Sequence, residues 1–217
     1  KSKLKEVIVR EIYRFYPNES QKFLLAQTFG CVRFVWNNYT SIFNSKDLSM
    51  YKTIKELKIE HPFLKEVPYN ALEQKLQDFN QLKSQFFNKK RKKQIGRPKF
   101  KSKRDSVQSF RLSSNGFSIK NGNLYLGKRI GKISIRGSSD LSELNNITSV
   151  TISKKSTGKY FVSVCYKSFK KEKVKTGKSI GIDLGLTHFI IDSQGDKVEN
   201  PRFLKQGLDK LKKAQQS

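Results

Sequence analysis

The chain is 217 residues long and carries 45 Lys or Arg against 18 Asp or Glu, a formal net charge of +27. Such an excess predicts a polyanionic partner. No stretch approaches the roughly 20 apolar residues of a transmembrane helix, and neither an amphipathic anchor nor a signal peptide is visible. A nucleic acid is therefore the expected partner, no membrane is, and the expected setting is the cytoplasm. With 16 Phe and 8 Tyr, the chain has apolar bulk for a core and is not simply disordered. Its length allows one large domain or two small ones. Cys31 and Cys165 form no C-x-x-C and read as two reduced cysteines. The chain starts at Lys1 without a Met and ends in a charged, helix-like "LDKLKKAQQS", so it reads as a cut or partly ordered piece.

"LKEVIVREIYRFY", residues 4 to 16, alternates apolar and charged residues from Val7 on and predicts a strand. Asn18, with Gln21 three residues later, fits a capping box. It opens a helix from Glu19 towards Tyr39, bent at Gly30, with Phe23, Leu24, Val35, Trp36 and Tyr39 as anchors. Pro68 starts a second helix, "YNALEQKLQDFNQLKSQFF". Its Leu72, Leu76, Phe79 and Phe86 fall on one face at helical spacing, which is a core stripe. From Asn88 the chain is dense in charge and broken by Gly96 and Pro98, so a regular helix is not expected. Residues 106 to 171 read as β. Asn121-Gly122 is a hairpin turn inside "GFSIKNGNLYL", "KISIRG" alternates, and "SVTISKKSTGKYFVSVCYK" is a hairpin turning near Thr157-Gly158. Short strands at this spacing predict a small barrel or sandwich. "KKEKVKTGK" is a basic linker, and something new begins at Lys178.

Lys89, Lys90, Arg91, Lys92, Lys93, Arg97, Lys99, Lys101, Lys103 and Arg104 crowd one segment. One reading is a solvated linker. The other is contact with phosphates, each neutralised phosphate releasing a counterion; such contacts position a nucleic acid without reading its sequence. Phe86, Phe87, Phe100 and Phe110 lie beside the run and either stack on bases or belong to the core.

"SIGIDLGLT", residues 179 to 187, places one carboxylate in an apolar, glycine-flanked run. As a strand, it puts Ile180, Ile182 and Leu184 on one face and Gly181, Asp183 and Gly185 on the other. The apolar face is expected to anchor the strand in a sheet, and the glycines to leave room beside the carboxylate. "THFIIDSQGDKV" then reads as a strand, a turn at Ser193 to Gly195, and a return. A strand with Asp followed by an antiparallel hairpin is how RNase H-like nucleases begin, with the carboxylate on Mg2+. Two other readings stand beside it: a structural Asp capping a turn, and the D-x-G-x-T phosphate loop of actin-like ATPases, which shares the fold but usually comes near the N-terminus.

"YRFYPNESQKFLLAQTFGCVRFVWN", "FLKEVP", "GRPKFKSKRDSVQSF" and "GIDLGLTHFIIDSQGDKVENPRFLK" stand in the order and spacing seen in TnpB proteins, and the chain resembles that family over nearly its whole length. TnpB proteins are transposon-encoded, RNA-guided DNA nucleases related to type V CRISPR effectors. The resemblance implies an α+β chain: a wedge β-barrel interrupted by a helical recognition insert, followed by the first strands of an RNase H-like (RuvC) nuclease domain. Residues 1–16 would be the first barrel strand, 17–95 the insert, 96–173 the rest of the barrel, and 174–217 the start of RuvC. Asp183 matches the family's first catalytic carboxylate and so implies Mg2+ as cofactor.

The family's later Glu and Asp, and the Cys-rich ribbon that takes Zn2+, have no counterpart among these residues. Asp192, Asp196 and Glu199 are poor substitutes, and this chain alone is expected to cleave nothing. A guide RNA and a target double-stranded DNA are the implied partners, in the cytoplasm of a bacterium or archaeon beside the nucleoid; oligomeric state is not implied. The protein would read a short motif beside the target while base pairing reads the rest, with Tyr51, Tyr69 and Gln74 as candidates for that reading. A nuclease-inactive transposase accessory protein or repressor is the second function class.

Overall fold

The computed structural model describes residues 4–45, 51–88, 90, 95–136, 141, 144, 146–171 and 176–216. The fold is mixed α+β with antiparallel sheets. The chain divides into two compact units, one of residues 3–171 and one of residues 172–217 with residues 1 and 2.

In the first unit, β1 (Leu4–Phe15) carries the predicted alternation. Tyr13 and Phe15 are buried, while Ile8 and Ile12 are exposed. The Asn18–Gln21 box is formed: Gln21 N donates to Asn18 Oδ1 at 2.8 Å, and Asn18 N donates to Gln21 Oε1 at 3.1 Å. It starts α1 (Glu19–Ser45), which runs through Gly30 and well past Tyr39. The helix is not interrupted at Gly30, since a lone Gly inside a long helix costs only about 1 kcal/mol. Of the expected anchors, Val35, Trp36 and Tyr39 are buried, but Phe23 is 64% exposed and packs no core.

A helix that the sequence reading missed follows. α2 (Ile54–Glu60) is opened by a capping box in which Thr53 and Glu56 satisfy each other's backbone N–H. A 3-10 turn, Pro62–Glu66, leads to α3 (Tyr69–Phe87). Its stripe is realised, with Leu72 and Phe79 fully buried and Leu76 and Phe86 packed partly against the core. Phe79 gathers the rings of Trp36, Tyr39, Phe43 and Tyr51 around it.

The β region comprises β2 (Val107–Ser113), β3 (Ser118–Lys120), β4 (Asn123–Leu126), a four-residue helix α4 (Gly127–Ile130), β5 (Gly131–Ile133), β6 (Ile135–Arg136), β7 (Ile147–Lys155) and β8 (Tyr160–Lys171). Asn121 and Gly122 both take positive φ, 48° and 71°, the signature of the tight two-residue hairpin turn. Gly158, at φ 76°, turns the second hairpin. The main sheet has the order β2-β7-β8-β1-β6, and β3-β4-β5 form a second sheet. β1 pairs along its whole length with β8 and at its end with β6, so the first strand returns to strands more than 100 residues later, with the helices inserted between. Phe110, Leu112, Val150, Ile152, Val162 and Val164 form the inner face, and α1 packs against β2 and α3. Each such side chain contributes about 1.5–3 kcal/mol on burial.

The second unit holds β9 (Ile182–Leu184), β10 (His188–Asp192) and β11 (Lys197–Glu199) in the order β11-β10-β9, then α5 (Phe203–Gln216). The turn at Ser193 to Gly195 is where the sequence placed it, with Gly195 at φ 92°. The strand around Asp183 is shorter than expected.

Candidate nucleic-acid interface and carboxylate site

Residues 95–105 have no regular secondary structure, yet much of the segment is strapped to α1. Trp36 Nε1 donates to the carbonyl of Lys99 at 2.9 Å. The Asn37 side chain donates to the carbonyl of Lys101 at 2.9 Å and accepts from its N–H at 2.8 Å. A turn follows, in which Asp105 Oδ2 accepts from Ser102 N at 3.0 Å. Arg97, Lys99, Lys101, Lys103 and Arg104 are exposed residues of this segment, and Lys90 is exposed just past the end of α3. Lys89, Arg91, Lys92 and Lys93 lie outside the described residues. At Lys99 and Lys101 the backbone is thus held against α1 by two of its side chains, and residues 102–105 close a local turn.

Lys101 is a special member of the run. Although the residue is exposed as a whole, its Nζ lies 4.2 Å from the centroid of the Trp36 ring. Partial burial, and then the charge of Lys75, hold its amine below the usual lysine pKa. Lys75 is itself buried, pairs with Asp78 at 3.3 Å, and approaches the same ring at 5.9 Å. Asp78 also accepts from Arg111 at 2.6 Å.

Among the candidate stacking rings, Phe110 is 1% exposed and is core, and Phe86 packs edge-on to Phe43. Phe87 and Phe100 present open ring surface. The three candidates for reading a DNA motif have different surroundings. Tyr69 is exposed, with Lys58 Nζ 5.3 Å above its ring. Tyr51 is half-buried, stacked on Tyr39 at 5.8 Å, and carries Lys83 Nζ 4.4 Å above its ring. Gln74 is only 6% exposed, and its amide donates to Gln77, an arrangement that serves packing rather than contact with a base edge.

The strap also has cationic neighbours that the sequence reading passed over. Arg33 of α1 and Lys154 and Lys155 of β7 line the same hollow as Lys103. The available signal was "SKKSTGK", read only as a turn.

Asp183 sits in the middle of β9, opposite Ile191. It is exposed, and among the described residues its carboxylate has no hydrogen-bond or ion-pair partner. Directly opposed residues share a face of an antiparallel pair, so Asp192, which is opposite Ile182, points to the other face. Asp192 is occupied as well: its Oδ1 accepts from Gln194 N and Asp196 N, both at 2.9 Å. Glu199 lies 3.0 Å from His188 Nδ1. Among the described residues no group of three or more His, Cys, Asp or Glu could hold a metal. Within residues 1–217 the apolar face of β9 is open, with Ile182 and Leu184 61% and 69% exposed. One of the two glycines also has a local reason. A Cβ at Gly185 would come within 3.1 Å of the His188 carbonyl, whereas one at Gly181 would make ordinary contact with Ser193. Gly185 therefore serves the tight passage into β10.

Among the described residues no helix is long and apolar enough to cross a membrane. A family described as a helix-turn-helix domain matches residues 12–42; in this structure they form the end of β1 and one helix. A family described as a probable transposase matches residues 163–217. A protein of Streptomyces pristinaespiralis, which carries the provisional name of RNA-guided DNA endonuclease, is 32% identical over 218 residues, covering 94% of this chain and 52% of that protein. The chain thus spans about half the length of the relative it matches. The order of its motifs, the two family matches and this identity place the chain in the TnpB family.

Proposed function

We propose that this chain works in an RNA-guided, transposon-associated DNA endonuclease. The sheet β2-β7-β8-β1-β6, with helices inserted after its first strand, serves as the wedge barrel and recognition insert over residues 1–16, 17–95 and 96–173. The β9–β11 unit, residues 174–217, serves as the opening of a RuvC domain. The unit of residues 3–171 holds the guide RNA through its cations and contacts a short motif beside the target, and base pairing reads the rest. Lys99 and Lys101 hang from a backbone fixed on α1, and Lys103 and Arg104 from the turn that follows, which suits phosphate contacts that set position and register.

The observation that carries the reading is Asp183: an exposed carboxylate without a partner among the described residues, on a short strand followed by a hairpin, in a member of this family. Its hard oxygen donors suit Mg2+, but the described residues supply one ligand and not a complete site. Mg2+ held by Asp183 with further carboxylates would activate water and stabilise the leaving oxygen in phosphodiester hydrolysis. What this chain adds is the placement of that carboxylate on a hydrogen-bonded strand. Residues 1–217 alone are expected to cleave nothing.

The repressor reading needs two helices joined by a short turn, the second entering the major groove. Residues 12–42 supply a strand end and one helix, which favours the nuclease. Sequencing the nucleic acid that copurifies with the protein tests the proposal. A defined RNA from a transposon end is the expected result; random cellular RNA would overturn it.

A further inference from the structure

Between α1, the strap and the end of β7 lies a cavity of about 240 Å3. Arg33, Lys103, Lys154 and Lys155 line it, against one carboxylate, Asp105. A smaller cavity of about 80 Å3 shares Arg33, Asp105 and Gln108 and adds Lys75 and Lys101. Among the described residues none of Arg33, Lys101, Lys103, Lys154 and Lys155 forms an ion pair. Asp105 is spent on the Ser102 turn, and Asp78 already serves both Lys75 and Arg111. The larger hollow therefore gathers four cations against the single carboxylate of Asp105, a net positive charge.

Its central cation is oriented. Arg33 Nη1 donates to Gln108 Oε1 at 2.8 Å, and the Gln108 amide donates to the carbonyl of Ser102 at 3.0 Å. This fixes the guanidinium to the strap before any ligand arrives, which lowers the entropy cost of a phosphate contact. Ala26 and the small open part of Phe29, a ring otherwise packed in the core, give the cavity an apolar patch. A bare phosphate would use only the cations. A nucleotide unit would use the small apolar part of the lining as well, beside the cations that dominate it.

We propose that this pocket takes one everted nucleotide of a single-stranded RNA segment, its phosphate on Arg33 and Lys103 and its sugar or base against Phe29. A stacked duplex cannot place a nucleotide in such a hollow, whereas loops and single strands splay theirs out. The choice of RNA rests on the function proposed above; the phosphate chemistry does not.

The test measures binding of the protein to a single-stranded RNA 20-mer across a salt series. The variants are Lys103→Glu with Lys155→Glu, Arg33→Gln, and Lys120→Glu on exposed β3 as a control for net charge. Melting temperature checks the fold of each. Calorimetry with inorganic phosphate, and with adenosine monophosphate, forms the other arm. The pocket variants should lose about tenfold or more in affinity at low salt, and the slope of log affinity against log salt should flatten by about 0.7 for each phosphate that is no longer neutralised. Lys120→Glu should change affinity less than threefold. An equal loss in the control would mean net charge alone and overturn the pocket. Tight binding of free phosphate or mononucleotide with RNA affinity unchanged in the variants would make this a free-anion site and also overturn it. If the wild-type protein binds no RNA, the proposed function falls together with this inference; if it binds RNA and the pocket variants bind equally well, only this inference falls.

Discussion

The units of residues 3–171 and 172–217 treat their apolar side chains in opposite ways. In the first, Phe79 is fully buried among four other rings, and a continuous core runs through the helices and the main sheet. In the second, none of the described residues is buried, and Ile182, Leu184, Phe203 and Leu204 are open to solvent. Three strands of three to five residues have little stability of their own. Within residues 1–217 the buried apolar core therefore belongs to the first unit, and the second presents Asp183 on three short strands.

Substitutions can break or sharpen that contrast. Phe79→Ala should cost about 3–5 kcal/mol, the usual loss for a large buried ring. Urea unfolding read through the fluorescence of the single Trp, Trp36, measures it, and a loss under about 1 kcal/mol would contradict the core assignment. Thr53→Ala should cost about 1 kcal/mol by removing the cap of α2. The cap also has a pH signature. Hydrogen bonds from the Thr53 backbone, then from its hydroxyl, hold the Glu56 carboxyl below its ordinary value of 4.5. That contribution is present above this value and fades as the pH falls through and below it, so the cost of Thr53→Ala should shrink in acid. Leu204→Ala should stay within about 0.5 kcal/mol, as for exposed positions; a loss approaching that of Phe79→Ala would erase the contrast.

A reactivity difference is finer still. Burial, with a smaller part from Glu66, pushes the Cys31 thiol up to about 11 from 9.0. Folding favours the protonated thiol, so its stabilising share is intact below about 9 and is lost as pH rises through about 11. At pH 8 a thiol probe should label half-buried Cys165 before buried Cys31; equal rates would mean that α1 opens readily.

The first unit was legible where patterns are local. The alternation from Val7 to Phe15, the Asn18–Gln21 box, the stripe through Leu72 and Phe79, and the Asn121-Gly122 turn each encode their structure within a few residues. The pairing of β1 with β8 was not in any pattern; the family resemblance joined the first strand to the later β segment without naming its partner, because register between strands so far apart depends on packing. α2 was missed although "TIKE" is a readable capping box, since seven residues give too few turns for a periodic signal. Phe23 misled because composition does not say which face of a long helix meets the core. The candidate site was half legible. Asp183 stood out as a lone carboxylate in an apolar run, but the exposure of Ile182 and Leu184 and the packing role of Gly185 required coordinates. The lysines of the basic run were visible, whereas their gathering with Arg33 and Lys154 depends on how the strap crosses α1.

The most direct measurement compares cleavage and target binding by the complete protein and by its Asp183→Ala variant, loaded with the same guide RNA in Mg2+. Asp183 is exposed and has no partner among the described residues, so the substitution should leave the melting temperature and target affinity nearly unchanged while DNA cleavage falls below detection. Cleavage by the Asp183→Ala protein at the wild-type rate would contradict the assignment of this carboxylate as catalytic.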